Sequence, residues 1–181
     1  MQNLMIDIET LSTKPNGAIL SIGAVFFDKT GLGQEFYQNI DLKSSMDAGF
    51  EIDPDTVYWW LKQSSEAGSV LESDKMHYVD VLYNLMGFMR DNCDLEKIKV
   101  WGNAPSFDLV MIRNYAIKAA EYVRGEALLW KFYNERDFRT AVDIYKCNRV
   151  KPDVSHNALA DAKAQAQTLI NHWSASNANN N

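Results

Sequence analysis

The chain has 181 residues, 46% of them hydrophobic and 12% aromatic, with 18 Lys and Arg against 24 Asp and Glu for a formal charge of −6. That length and composition exclude a disordered chain and predict one globular domain with a sizeable core, and the acidic balance argues against a general nucleic-acid coat protein. No apolar run reaches transmembrane length and no basic segment with a cleavage site opens the chain, so no membrane association and a cytoplasmic location are expected. Cys93 and Cys147 lie in no metal-type spacing and are too few for a disulfide framework, so both read as ordinary thiols in a reducing setting.

Residues 3–8 are the first predicted strand, and a polar turn through Pro15 and Gly17 separates it from a second over 19–28. A "TGLG" turn leads to a third over 34–40, and the short spacing favours an antiparallel meander. After an irregular stretch, "DPDTVYWWLKQSSEA" (53–67) reads as a helix in which Asp53 caps and Pro54 suits the first turn. Apolar residues recur at helical spacing over 75–92, "IKVWG" (98–102) is a short strand, and helices are predicted over 106–120, 139–147 and 156–173. The last, "HNALADAKAQAQTLINHW", is rich in alanine. The expected domain covers 1–174, and 175–181 is read as a disordered polar tail. Three early strands followed by helices and a later strand predict an α/β fold: a central mixed sheet of about five strands flanked by helices.

The first strand, "LMIDIET", holds a contradiction. Leu4, Met5, Ile6 and Ile8 suit a central strand, whereas Asp7 and Glu9 belong to types that strands disfavour. Residues two apart on a strand point the same way, so both carboxylates share one face at the strand's C-terminal end, where open α/β sheets place their sites. Charge along the chain is uneven: residues 1–100 carry 8 Lys and Arg against 16 Asp and Glu, residues 101–155 carry 9 against 7. A cation would gather near the first segment and a polyanion near the second.

Two further stretches hold candidate chemistry. In "WGNAPSFD" a strand end and a polar turn place Asp108 in the first turn of a helix, a position that helix-dipole support alone would also explain. In "HNALADA", His156 precedes Asp161 by five residues, about 500° around a helix. The two do not stack on one stripe, but they flank a common site if the histidine lies on the entry loop.

Asp-x-Glu on a first strand, Asp after an "N-x-x-x-F-D" turn and His-x4-Asp on a late helix together resemble the DEDDh branch of the DnaQ-like 3′→5′ exonucleases. "DPDTVYWWLKQS", "WGNAPSFD" and "RDFRTAVDI" look closest to a subgroup that includes the phage exonuclease DexA and a mycobacterial-type exoribonuclease. The resemblance spans residues 5–161 and implies a ribonuclease-H-like fold. It implies release of nucleoside 5′-monophosphates, one at a time, from the 3′ end of single-stranded or 3′-overhanging DNA or RNA. It also implies two ions, Mg²⁺ or Mn²⁺, about 4 Å apart. Asp7 would bridge them, Glu9 and Asp161 would hold the ion beside the attacking water, and Asp108 the other. His156 would be the general base, a task that suits an imidazole at neutral pH.

For substrate contacts the resemblance nominates Thr10 and Leu11, the latter as a wedge beside the terminal base, together with Asn103 and Phe107, which could stack. Trp59 and Trp60 face about 100° apart on a helix, so at least one is expected in the core. Arg113, Arg136, Arg139 and Lys146 are candidates for backbone phosphates, and His77 and His172 are assigned no chemistry. Two alternatives stay open: a catalytically silent nucleic-acid-binding or scaffold domain on the same fold, and a ribonuclease-H-like endonuclease, which has no need of His156. Sugar preference and a homodimer are also left open.

Overall fold

A computed structural model describes residues 1–63, 68, 70, 74–125 and 130–178. Strand β1 (Asn3–Thr10) is the middle of a five-stranded sheet of order β3-β2-β1-β4-β5. Strands β2 (Ile19–Asp28) and β3 (Gly31–Asn39) follow as an antiparallel meander, while β4 (Lys99–Gly102) and β5 (Glu135–Asp137) pair in parallel beyond β1. The sheet is therefore mixed, as the interleaving of strands and helices predicted. Parallel pairing requires crossover connections, and helices supply them.

Alternation along β1 sorts its side chains between two cores. Leu4, Ile6 and Ile8 pack with β2 against helices α3 (Tyr78–Asn92) and α4 (Asp108–Val123). Met5 points the other way and joins Val25, Phe27 and Trp101 against helices α5 (Phe138–Tyr145) and α6 (Ala158–Ala178). By the same alternation Asp7 and Glu9 lie on the α6 side.

Helix α6 comes unusually close to the sheet because both surfaces are small. Ala158, Ala162 and Ala166 are fully buried along it. Gly23, the cross-strand partner of Asp7, lies directly beneath its start: a Cβ on Gly23 would stand 2.2 Å from the backbone of Ala158 and Leu159. Only glycine permits that approach.

Several boundaries differ from the sequence-based expectation. Residues 42–47, read as irregular, form a short helix α1 (Leu42–Asp47) capped by Asp41, whose carboxylate accepts the Ser44 amide. Helix α2 (Pro54–Trp60) starts as expected, with Asp53 Oδ1 accepting the Asp55 amide at 2.9 Å, and residues 64–67 of the expected helix lie outside the described residues. Strand β5 was not anticipated, because three charged residues carry no apolar alternation. Helix α6 continues to Ala178, four residues into the expected disordered tail; residues 179–181 lie outside the described residues. Cys93 and Cys147 are half-buried free thiols. Among the described residues no helix is long and apolar enough to cross a membrane.

Candidate active site and metal centre

The carboxylates converge at the C-terminal end of β1. Asp7 and Glu9 are delivered by the strand and are nearly buried, at 8% and 9% exposure. Asp161 comes down on them from the first turn of α6, whose start is fixed by Asn157: its Oδ1 accepts the Ala160 amide at 3.0 Å. Ligand atoms of Asp7, Glu9 and Asp161 all lie within 4.8 Å of one another. Asp108 approaches from the other flank, at the start of α4, where its Oδ2 accepts the Ala104 amide at 2.9 Å. Gly102 makes room for it, since a Cβ there would sit 3.2 Å from that oxygen. Asp108 stands outside the compact triad, yet it lines the same cleft, of about 510 Å³, as the other three acids and His156.

Crowding shows in the proton affinities. Burial, then the charges of Asp108 and Glu9, hold Asp7 well above the usual carboxylate range. Burial and the charges of Asp161 and Asp108 push Glu9 up to about 8. Asp108 rises to about 6 through burial, a rise restrained by backbone amides and by the Arg139 guanidinium. Burial also raises Asp161, with His156 opposing the rise. A cluster that resists ionising in this way, built of oxygen donors, could coordinate an oxygen-preferring divalent cation, whose charge would offset the repulsion.

His156 sits just ahead of α6 with a left-handed backbone (φ 63°), a conformation that turns its ring back toward α2. There the imidazole meets the Trp59 ring edge to face, with centroids 4.8 Å apart, and the Trp60 ring at 6.4 Å. Trp60 is the core member of the pair, its Nε1 donating to the Thr10 carbonyl at 2.9 Å, while Trp59 remains 41% exposed. A second cavity of about 520 Å³ opens beside the cleft, walled by Trp59, Trp60, Thr10 and Phe107, with Asp53 and Asp55 on its rim. Glu9 and Phe107 line both spaces.

The other nominated residues divide. Asn103 and Phe107 line the cleft and Thr10 the second cavity. Leu11, expected as a wedge, instead packs at 6% exposure with Leu20, Trp60 and Val70: it lies just past the end of β1, beyond the register shift between Glu9 and Thr10, where the strand's alternation no longer carries a side chain to the site face. Of the four basic candidates, Arg139 reaches the cleft, where its Nε donates to Asn103 Oδ1 at 3.3 Å. Arg113 is paired with Glu135 at 2.6 Å, Arg136 donates to the Tyr133 and Glu135 carbonyls, and Lys146 pairs with Asp143. His77 caps α3 and His172 stacks on Tyr145. Gln165 escaped the sequence reading; its Nε2 donates to Asp7 Oδ1 at 2.8 Å. Its spacing of four from Asp161 on a helix was the available signal.

A mixed five-stranded sheet flanked by helices is the ribonuclease-H-like, DnaQ-like architecture. Escherichia coli exonuclease I, solved in complex with a 5cy-dT13 oligonucleotide, matches 92% of this chain with a TM-score of 0.59 and 15% identity. The cell-death related nuclease CRN-4 matches 93% at 0.52 and 13% identity, and a full-length 3′-exonuclease matches 96% at 0.55 and 13% identity. The chain spans 39% of exonuclease I, 62% of CRN-4 and 82% of the 3′-exonuclease. At such identities the likeness is one of fold. No functionally curated protein matches the chain. The sequence profile of the 3′-5′ exoribonuclease Rv2179c-like domain matches residues 2–173, and the chain belongs to that family.

Proposed function

We propose that this protein is a metal-dependent 3′→5′ exonuclease that releases nucleoside 5′-monophosphates from single-stranded or 3′-overhanging nucleic acid. The family's description as an exoribonuclease domain favours RNA, and the motifs favour kinship with the phage DexA subgroup. The observation that carries the reading is convergence: Asp7, Glu9, Asp108, His156 and Asp161 come from three separate chain segments and line one cleft.

Asp7, Glu9, Asp161 and Asp108 would hold Mg²⁺ or Mn²⁺, which supplies charge neutralisation and polarises the scissile phosphodiester. His156 accepts a proton from the attacking water as its oxygen bonds to phosphorus. The bond from phosphorus to the 3′-oxygen of the penultimate nucleotide breaks, and that oxygen takes a proton from solvent. Arg139, the one Lys or Arg among the described residues that line the cleft, is placed to contact a phosphate oxygen. The neighbouring cavity takes the terminal nucleoside, its base against Trp59 or Phe107 and its sugar near Thr10; such aromatic contacts tolerate any base.

A panel of 5′-labelled linear single-stranded DNA and RNA oligomers, with internally labelled circles of the same sequence, tests this. In Mg²⁺ the linear RNA is expected to shorten one nucleotide at a time with monophosphate released, and a circular strand to stay closed. Nicking of the circle at a comparable rate establishes the endonuclease instead. Binding without cleavage of any oligomer establishes a silent binding domain.

A further inference from the structure

Gln165 is the one uncharged side chain in hydrogen-bond contact with Asp7 among the described residues, and its geometry is specific. It follows Asp161 by four residues on α6, so one stripe of the helix delivers both into the cleft. An ionised carboxylate, the form a cation would hold, only accepts, so the amide presents its NH₂ group to Asp7 across the 2.8 Å bond. That orientation leaves the amide oxygen buried with no hydrogen-bond partner among the described residues. An unpaired buried acceptor weakens a fold, and an apolar side chain of the same size would avoid the loss. The amide therefore contributes at this position through its bond to Asp7.

We propose that Gln165 is a positioning residue of the metal centre: its amide locks the Asp7 carboxylate in one orientation, leaving the second oxygen free as a cation ligand beside Glu9 and Asp161. The inference rests on the metal-dependent reading of the cleft. Every other side chain whose influence on Asp7 is resolved is an acid that repels it, namely Asp108, Glu9 and Asp161. Without the amide, nothing in that set holds the carboxylate toward the place where a cation would sit. Partners that orient a ligand in this way typically change metal affinity by about 10- to 100-fold when removed.

The test is a Mn²⁺ titration followed by electron paramagnetic resonance, with thermal melting in chelator run alongside. Q165M keeps the volume and removes the donor. It is expected to bind Mn²⁺ about 10- to 100-fold more weakly than wild type while melting at the same or a higher temperature. A Q165M protein that binds Mn²⁺ within about twofold of wild type overturns the proposal. So does one that melts lower with unchanged affinity, the mark of a merely structural residue. Should Q165M fail to fold, Q165A, which a helix tolerates well, is read by the same titration and against the same limits. Wild type that binds Mn²⁺ but degrades no oligomer removes the exonuclease reading and leaves the role of Gln165 to be decided by the titration.

Discussion

The two faces of the sheet are built on opposite principles. Toward α3 and α4, β1 presents Leu4, Ile6 and Ile8 to large partners such as Leu82, Leu85 and Tyr115, and the buried phenol of Tyr115 is satisfied by the Ile19 amide at 2.8 Å. Toward α6, the same strand presents Met5, Asp7 and Glu9 to a helix of alanines. The first face buries apolar area and pairs its central phenol. The second buries charge, leaves the Gln165 amide oxygen unpaired and keeps its carboxylates from ionising freely. Fold stability and site chemistry are thus separated by the pleat of one strand, and substitutions on the two sides should fail in opposite ways.

The largest contrast is between Asp7→Asn and Leu82→Ala. Asp7→Asn is expected to lower exonuclease turnover by about 10³-fold or more, since the charge of a proposed metal ligand is lost. Its melting temperature in chelator should stay level or rise, because a repelling carboxylate is gone. Leu82→Ala empties a fully buried site on the other face and should destabilise by about 2–5 kcal/mol while the folded fraction cleaves normally. Paired melting curves and initial rates measure both. Near-normal turnover in Asp7→Asn would dissolve the distinction between the faces.

His156→Ala sharpens it. A general base contributes about 10²- to 10⁴-fold in rate with little effect on binding. The variant should therefore lose at least about 100-fold in turnover, while Mn²⁺ affinity and oligomer affinity in Ca²⁺ change little. Loss of binding in step with rate would make His156 a shaping residue for the cleft instead.

The smallest expected effect is on the pH dependence of stability. Glu9 and Asp108 are pushed up to about 8 and about 6, above their ordinary values, so the folded protein holds protons that the unfolded chain releases. The stabilising protonated forms are complete below the ordinary carboxylate range and are lost as pH rises through 6 and then 8. In chelator the melting temperature should therefore fall between about pH 5 and pH 8, by several degrees. Saturating Mg²⁺ should remove most of that slope, and Glu9→Gln should flatten it without metal. A melting temperature in chelator that rises over the same interval would contradict the electrostatic description of this face.

Much of this was legible in the chain, for reasons that differ by residue. Asp7 and Glu9 stood out because period-two alternation turns a pair of acids inside an apolar run into one carboxylate face. Asp108 and the His156–Asp161 pair gained meaning only in combination, since each has an ordinary helix-end explanation. Strand β5 was invisible: "ERD" is held by pairing to β4 rather than by any pattern of its own. Leu11 was misplaced because the alternation that aligns Asp7 with Glu9 ends at Thr10, behind a register shift that the sequence does not announce. Gln165 was missed because its one signal, the spacing of four from Asp161, says that the two share a helix face and not that the amide bonds to a residue at the other end of the chain.

Gly23 carries a consequence for how variation in this protein should be read. It touches no proposed substrate and carries no functional group, yet the room beneath Ala158 and Leu159 exists only because it lacks a side chain. Any replacement lifts the start of α6, and with it the loop of His156 and the turn of Asp161. In a survey of tolerated substitutions position 23 would score like a catalytic residue, and a ranking by intolerance alone would place it in the chemistry. What it marks is clearance, a tolerance between two parts of the fold that the catalytic geometry inherits.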